Sequence, residues 1–357
     1  MSRTLRWVPV AALVLGWTVS AGAAPKKGSG VYATVAEARA AGPAFDIQGE
    51  YEGTIGEKKV GVQVIALSAD AFQAVFLAGG LPGAGWDGKG KVLCQGKLAG
   101  GKTVFTPAEG KRKYLGGRPE EFSATKKFPP DGQKAYTAEI ANGALTGKTD
   151  DGKAIAAKKV ARKSPTLGLK PPAGATVLLA YEPGKAPSLD AWTNQKLLAD
   201  PNGFMQIVRR GGGTNSKKRF SGPWRMHVEF RSPFQPRARG QGRGNSGVFP
   251  PGGREIQVLD SFGLDGMPNE CGGIYKNHPP RVNLCLPPLS WQTYDVDYHL
   301  AADGKRAWYK VVHNGVTIHE KVPLGGNRTG TLNLQDHGNP VAYRNIWFVE
   351  GGAGQGK

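Results

Sequence analysis

The sequence is thin in the residues that build metal centres, and it has few long helical runs. Its 357 residues include only 3 cysteines and 6 histidines, none of them in a spacing such as H-E-x-x-H, and no EF-hand loop is present. No P-loop and no Rossmann unit is visible, so the nucleotide-dependent chemistries lack their usual binding motifs. Beyond the N-terminal segment no apolar run approaches the ~20 residues of a bilayer span. Acidic residues are also scarce: 28 Asp and Glu against 47 Lys and Arg give a net charge of +19. That excess invites a nucleic-acid reading. The lysines, however, lie in separated turns such as "GEKK", "DGKGK" and "AAKK", with no aromatic platform between them and no helix-turn-helix, zinc-finger or RRM signature. Specific nucleic-acid binding is not expected, although so basic a chain attracts anionic polymers in a salt-dependent way.

What is present favours β structure. A 39% hydrophobic content with 53 glycines and 26 prolines suits short strands joined by many turns, in a chain long enough for two or three domains. At the start, Arg3 and Arg6 precede "VPVAALVLGW", and "AGAA" follows at Ala21 to Ala24. This is the grammar of a secretory signal over residues 1–23, with an uncleaved anchor as the weaker alternative. Export would place the mature chain in an oxidising compartment, periplasmic or extracellular. There Cys271 and Cys285, which flank one loop, could close it as a disulfide or remain two buried thiols. Cys94 reads as a packed apolar residue.

Three blocks follow. After a short helix at "VYATVAEARAAG", residues 31–160 alternate as in "KVGVQVIAL" and "TAEIANGALTGKT", which predicts a small antiparallel β domain. Residues 161–174 contain Pro165, Pro171 and Pro172 without periodicity and read as a linker. Residues 175–351 carry clearer strands. In "WRMHVEFRS", Met226, Val228 and Phe230 alternate with His227, Glu229 and Arg231; in "REIQVLD", Ile256 and Val258 alternate with Glu255 and Gln257; in "TLNLQDHG", Leu332 and Leu334 alternate with Asn333 and Gln335. Such alternation predicts a two-layer sandwich with apolar inner faces. A polar outer face is ordinarily just solvated. These faces instead concentrate His, Glu, Arg and Gln, groups that transfer protons or make bidentate hydrogen bonds. If the strands are neighbours they form one polar groove, with Trp224, Trp291, Tyr275 and Tyr294 near strand ends for stacking, core or rim roles.

The ordered motifs "GRGNSGVF", "REIQVLDSFG", "NECGGIYK", "PPLSWQTYDVDY", "HNGVTIHE" and "LQDHGNPVAYRNIWFVE" resemble the domain once called DUF1080, the 3-keto-disaccharide hydrolase or 3-keto-glucoside lyase and hydratase family. The resemblance covers the C-terminal half. It implies an all-β, concanavalin-A-like jelly-roll sandwich, exported by a bacterium, acting on an oligosaccharide or glycoside.

The chemistry so implied starts from a C3 ketone, which acidifies the C2 proton because the carbanion delocalises as an enolate. A base removes that proton, the C1 substituent leaves, and water adds back. On these residues His337 is the expected base with Asp336 orienting it or acting in its place, and Glu255 would hold sugar hydroxyls or protonate the leaving oxygen. Arg344 and His227 would polarise the ketone. Gln257, Glu229, Asn245, Glu270 and Tyr275 would bind the sugar. A divalent cation is an alternative enolate stabiliser. Two other readings use the same features: a lectin-like carbohydrate-binding module, and a basic envelope protein binding anionic polymer. The oligomeric state is not legible.

Overall fold

The computed structural model describes residues 30–324 and 328–351; the expected signal peptide lies outside the described residues. The chain opens with helix α1 (Val35–Ala40), whose Thr34 and Glu37 form a reciprocal capping box, and helix α2 (Ala44–Ile47). Strands β1 (Gly49–Ile55), β2 (Lys58–Ala66), β3 (Ala71–Ala78), β4 (Lys91–Ala99) and β5 (Lys102–Pro107) follow. An excursion then carries β6 (Lys113–Tyr114) and β7 (Phe122–Ser123) before β8 (Thr137–Ala141), β9 (Ala144–Lys148) and β10 (Ala154–Val160). Apart from β6 and β7 these strands close into an antiparallel eight-stranded barrel, with β1 paired to both β2 and β10. Closure removes the exposed edges that an open sheet of this size would present.

The second unit is a two-layer sandwich. Its larger sheet holds β11 (Thr176–Leu179), β12 (Leu198–Asp200), β13 (Phe204–Gln206), β15 (Trp224–Arg231), β18 (Gln292–Leu300), β19 (Ala307–His313), β20 (Val316–Pro323) and β22 (Ala342–Glu350). The smaller sheet runs β14 (Thr214–Asn215), β21 (Asn333–Leu334), β16 (Ser246–Phe249) and β17 (Ile256–Val258). The period-two alternation decides which side chains meet between the layers: Met226, Val228, Phe230, Val296 and Phe348 from one sheet pack with Val248, Ile256, Val258 and Leu334 from the other. Trp224 belongs to this core, stacked on Tyr298 at 5.2 Å.

The two units are not independent. Strands β2 and β3 are buried on both faces because Ile65, Leu67, Val75 and Leu77 pack outward into the sandwich core, while Val62, Val64, Phe72 and Phe76 fill the barrel. Arg243 of the sandwich, itself buried and paired with Asp260 at 2.6 Å, donates to the Ala66 carbonyl of the barrel at 3.1 Å. The segment expected to be a linker is also held in place. Thr166 donates to Asp295 at 2.7 Å, Gly168 N–H donates to Glu229 at 2.6 Å, and the Leu169 carbonyl accepts from Asn345 at 2.9 Å. It is a strap across the larger sheet, so a freely separable sandwich, which a Pro-rich linker would suggest, is not what the chain builds.

Candidate active site

The polar strands do not share one groove. β15 belongs to the larger sheet and β17 to the smaller, so with their apolar residues facing each other across the core, their polar residues point away on opposite outer faces.

On the smaller sheet, Gln257 pairs with Gly247 across β17 and β16. Glu255 folds back over that glycine: a Cβ at Gly247 would stand 2.3 Å from Glu255 Oε1. Glu255 is 8% exposed and no hydrogen bond or ion pair to its carboxylate occurs among the described residues. Burial without a compensating donor pushes its carboxyl up to about 7, so the group exchanges a proton near neutrality. Beside it, Gln257 Nε2 donates to Gln241 Oε1 at 3.0 Å and Asn245 Nδ2 donates to the Gln241 carbonyl at 2.8 Å. These bonds fix both amides and leave Gln257 Oε1 and Asn245 Oδ1 buried without partners. Buried amide oxygens in that state retain acceptor capacity. The loop after β17 turns back to pair with it, the Tyr275 N–H donating to the Glu255 carbonyl at 3.1 Å, which brings half-buried Tyr275 alongside.

Other expected members have different roles. Glu270 is buried, accepts from Gly266 N–H and Met267 N–H at 2.9 Å each, and accepts from the Tyr114 hydroxyl of the barrel excursion. It shapes the loop and does not face a ligand. Asp336 accepts from Gly212 N–H at 3.0 Å and Gly338 N–H at 2.8 Å, so it ties a turn and does not orient His337. His337 itself is exposed in that turn, just past Gln335, whose N–H donates to the Gly247 carbonyl at 3.0 Å.

On the outer face of the larger sheet the strap covers the middle of β15. His227 is fully buried between Asp295 at 2.6 Å and Glu229 at 3.4 Å. Burial opposes its protonation, but the hydrogen bonds to Asp295 and Glu229 outweigh it and raise its pKa. Burial likewise favours the neutral Glu229 acid, yet His227, Asn345 and Arg344 hold its pKa down; Arg344 Nε donates to it at 2.6 Å. The Arg344 guanidinium lies 3.9 Å from the Tyr181 ring centroid and 4.2 Å from that of Trp291, while Arg231 lies 4.9 Å from Trp291 and 4.7 Å from Phe204. His227 and Glu229 are thus engaged by protein partners, and together with Arg344, whose Nε is taken by Glu229, they lie on the sandwich face opposite Glu255. The expectation that they polarise a ketone or bind sugar at one site with Glu255 is corrected.

Cys271 and Cys285 are free and buried, as is Cys94. Cys271 Sγ sits 3.3 Å from the Tyr294 hydroxyl, and Cys285 Sγ donates to the Leu259 carbonyl at 3.4 Å. Asn283 closes the loop noncovalently, donating to the Ser261 and Leu264 carbonyls at 2.7 and 3.1 Å. The disulfide expectation gives way to the buried-thiol alternative. Tyr294 is a core residue whose hydroxyl donates to the Gln257 carbonyl at 2.7 Å. Among the described residues no three His, Cys, Asp or Glu side chains converge as a metal site.

Sequence reasoning missed Gln241, the hub of the amide network, and Gly247, although both stand within or beside "GRGNSGVF". Tyr114 had no local signal, since its partner Glu270 is 156 residues away.

Residues 174–349 match the family described as the 3-keto-alpha-glucoside-1,2-lyase-like domain. Among solved structures, one from Parabacteroides distasonis named a "putative glycosyl hydrolase" is 27% identical, with a TM-score of 0.39, over 50% of this chain and 84% of its own. A second of the same name is 17% identical, with a TM-score of 0.36, over 49% and 93%. A Trypanosoma rangeli sialidase is 9% identical, with a TM-score of 0.28, over 83% of this chain and 50% of its own. No curated protein matches. The C-terminal segment 174–349 is thus a domain of the 3-keto-alpha-glucoside-1,2-lyase-like family.

Proposed function

We propose that the protein cleaves 3-keto-glycosides by C2 proton abstraction and β-elimination, with Glu255 as its principal proton-transfer group. The observation that carries this reading is a nearly buried carboxyl poised near 7 beside two partnerless amide oxygens. An acid with that pKa is populated both as base and as acid at neutral pH. As carboxylate, Glu255 takes the C2 proton and the electron pair moves to the C3 oxygen as an enolate. The enolate then re-forms the ketone as the C1–O bond breaks, and the departing oxygen takes the proton from Glu255. Water adding at C1 of the enone, with a proton returned to C2, completes net hydrolysis. Gln257 and Asn245 accept hydroxyl hydrogens of the sugar and fix its ring over Gly247, while Tyr275 offers an apolar wall. His337 is the second proton-transfer candidate, in the turn at the end of the same sheet.

The family assignment supports the carbohydrate substrate, and the two-layer sandwich supports reading the fold as a concanavalin-A-like jelly roll. We place the site of action outside the cytoplasm, on the strength of the N-terminal signal grammar; a mature N-terminus near Ala24, read by intact mass, checks this. The functional test is incubation with a 3-keto-disaccharide and with its unoxidised parent. Cleavage of the keto sugar alone is expected, lost in Glu255→Gln. Equal cleavage of both sugars would indicate a conventional glycosidase, and saturable binding without cleavage a lectin-like module.

A further inference from the structure

The barrel holds a cavity that the sugar chemistry does not use. An eight-stranded barrel encloses just enough room for its own side chains or for one small ligand, and here the two ends differ. Where β1 begins, α1 and α2 pack Ala38, Ala44 and Phe45 against the interior set of Tyr51, Val64, Phe72 and Phe105, and that end is filled. At the opposite end, beyond the β1–β2 turn, a cavity of about 650 Å³ opens, walled by Ile55, Val60, Phe76, Val92 and Tyr136. This is the size range of pockets that take small organic ligands.

Two features select among them. Tyr136 is 8% exposed and its hydroxyl has no hydrogen-bond partner among the described residues, so a donor stands free on an otherwise apolar wall. At the rim, Lys153 is taken by Asp151 at 2.6 Å. Lys58, Lys59 and Lys134 enter no ion pair among the described residues and outnumber the rim acids Glu57 and Asp87. An apolar interior below a rim with three lysines that enter no ion pair suits a molecule with a hydrocarbon or aryl body and an anionic end.

We propose that the open barrel mouth is a binding site for a small apolar carboxylate, its tail among Val60, Phe76 and Val92 and its carboxylate toward Lys58, Lys59 and Lys134. The test uses the full-length mature protein and decanoate below its micelle-forming concentration, titrated calorimetrically at low salt. Saturable binding with one decanoate per chain is expected, with decanol and decyltrimethylammonium each at least tenfold weaker. Lys58→Glu with Lys134→Glu, both exposed positions, should weaken decanoate about tenfold without lowering the melting temperature. Ala78→Trp, an exposed lining position, should block binding by filling the mouth. Absence of saturable binding would overturn the proposal. So would equal affinity for the cationic probe, or indifference to both the charge reversals and Ala78→Trp in variants that melt like the wild type.

Discussion

The two outer faces of the sandwich carry similar side chains and differ in what those side chains touch. On the larger sheet, Glu229 meets His227, Arg344, Asn345 and the Gly168 amide. On the smaller sheet, Glu255 meets no such donor and its carboxyl rises to about 7. The same residue type is a fixed anion in one place and a proton carrier in the other. A carboxylate's chemistry is therefore set by its donors, and a buried carboxylate with several is a structural part.

Deeper still is the dependence of both faces on the N-terminal half. Because Ile65, Leu67, Val75 and Leu77 complete the sandwich core and the strap at Thr166 to Leu169 covers the larger sheet, a chain starting near Ala173 should fail to fold. Circular dichroism and thermal melting check this; a cooperative melt at the wild-type temperature would mean the units stand alone. Next in size, Glu229→Ala should cost about 3–5 kcal/mol, since it leaves Arg344 buried without its anion and His227 with Asp295 alone. Denaturant unfolding reads that loss. Glu255→Gln should leave stability intact near neutral pH or raise it, and slow turnover of a 3-keto-glycoside ~100-fold or more.

The two faces should also respond oppositely to pH. Below pH 4.5 Glu255 is protonated whether the chain is folded or not. Between 4.5 and about 7 the unfolded chain gives up that proton while the native state keeps it. The native state thus loses stability as pH rises through this window, and the loss is complete above it. Glu255→Gln should remove the trend, its advantage over wild type growing to about 3 kcal/mol above pH 7. For Glu229, whose folded pKa is depressed, the stabilisation is present above the ordinary carboxylate pKa and fades as pH falls. Gln257→Ala should weaken sugar binding about tenfold and lower the melting temperature only modestly, because it removes the Nε2 bond to Gln241, whose Oε1 still accepts from Asn245 at 3.2 Å, while its own amide oxygen has no protein partner to lose.

The alternation in "REIQVLD" and "WRMHVEFRS" was enough to find both strands and to tell which residues face the core, since a period of two is a local property. Which sheet each strand joins is decided by pairings far apart in sequence, such as Glu229 with Arg344 or Val248 with Leu334. Glu255, Gln257, Asn245 and Tyr275 consequently emerged as candidates together with His227, Glu229 and Arg344, which lie on the opposite face. Burial was invisible too: "ARKSPTLGLKPP" has the composition of a linker, yet its hydroxyls and amides are consumed by the larger sheet. The buried pair Arg243 and Asp260, and the Tyr114 contact to Glu270, depend on barrel and sandwich meeting, which no local pattern encodes.

The claim that Glu255, and not the Glu229 cluster, moves the substrate proton is tested most directly by label exchange at C2. A 3-keto-glucoside deuterated at C2 would be incubated with wild type and with Glu255→Gln, following deuterium release by NMR in variants shown to be folded. The account predicts release to solvent by the wild type and a ~100-fold slower release by Glu255→Gln. Complete cleavage with the C2 deuterium retained, or undiminished release by Glu255→Gln, would contradict it.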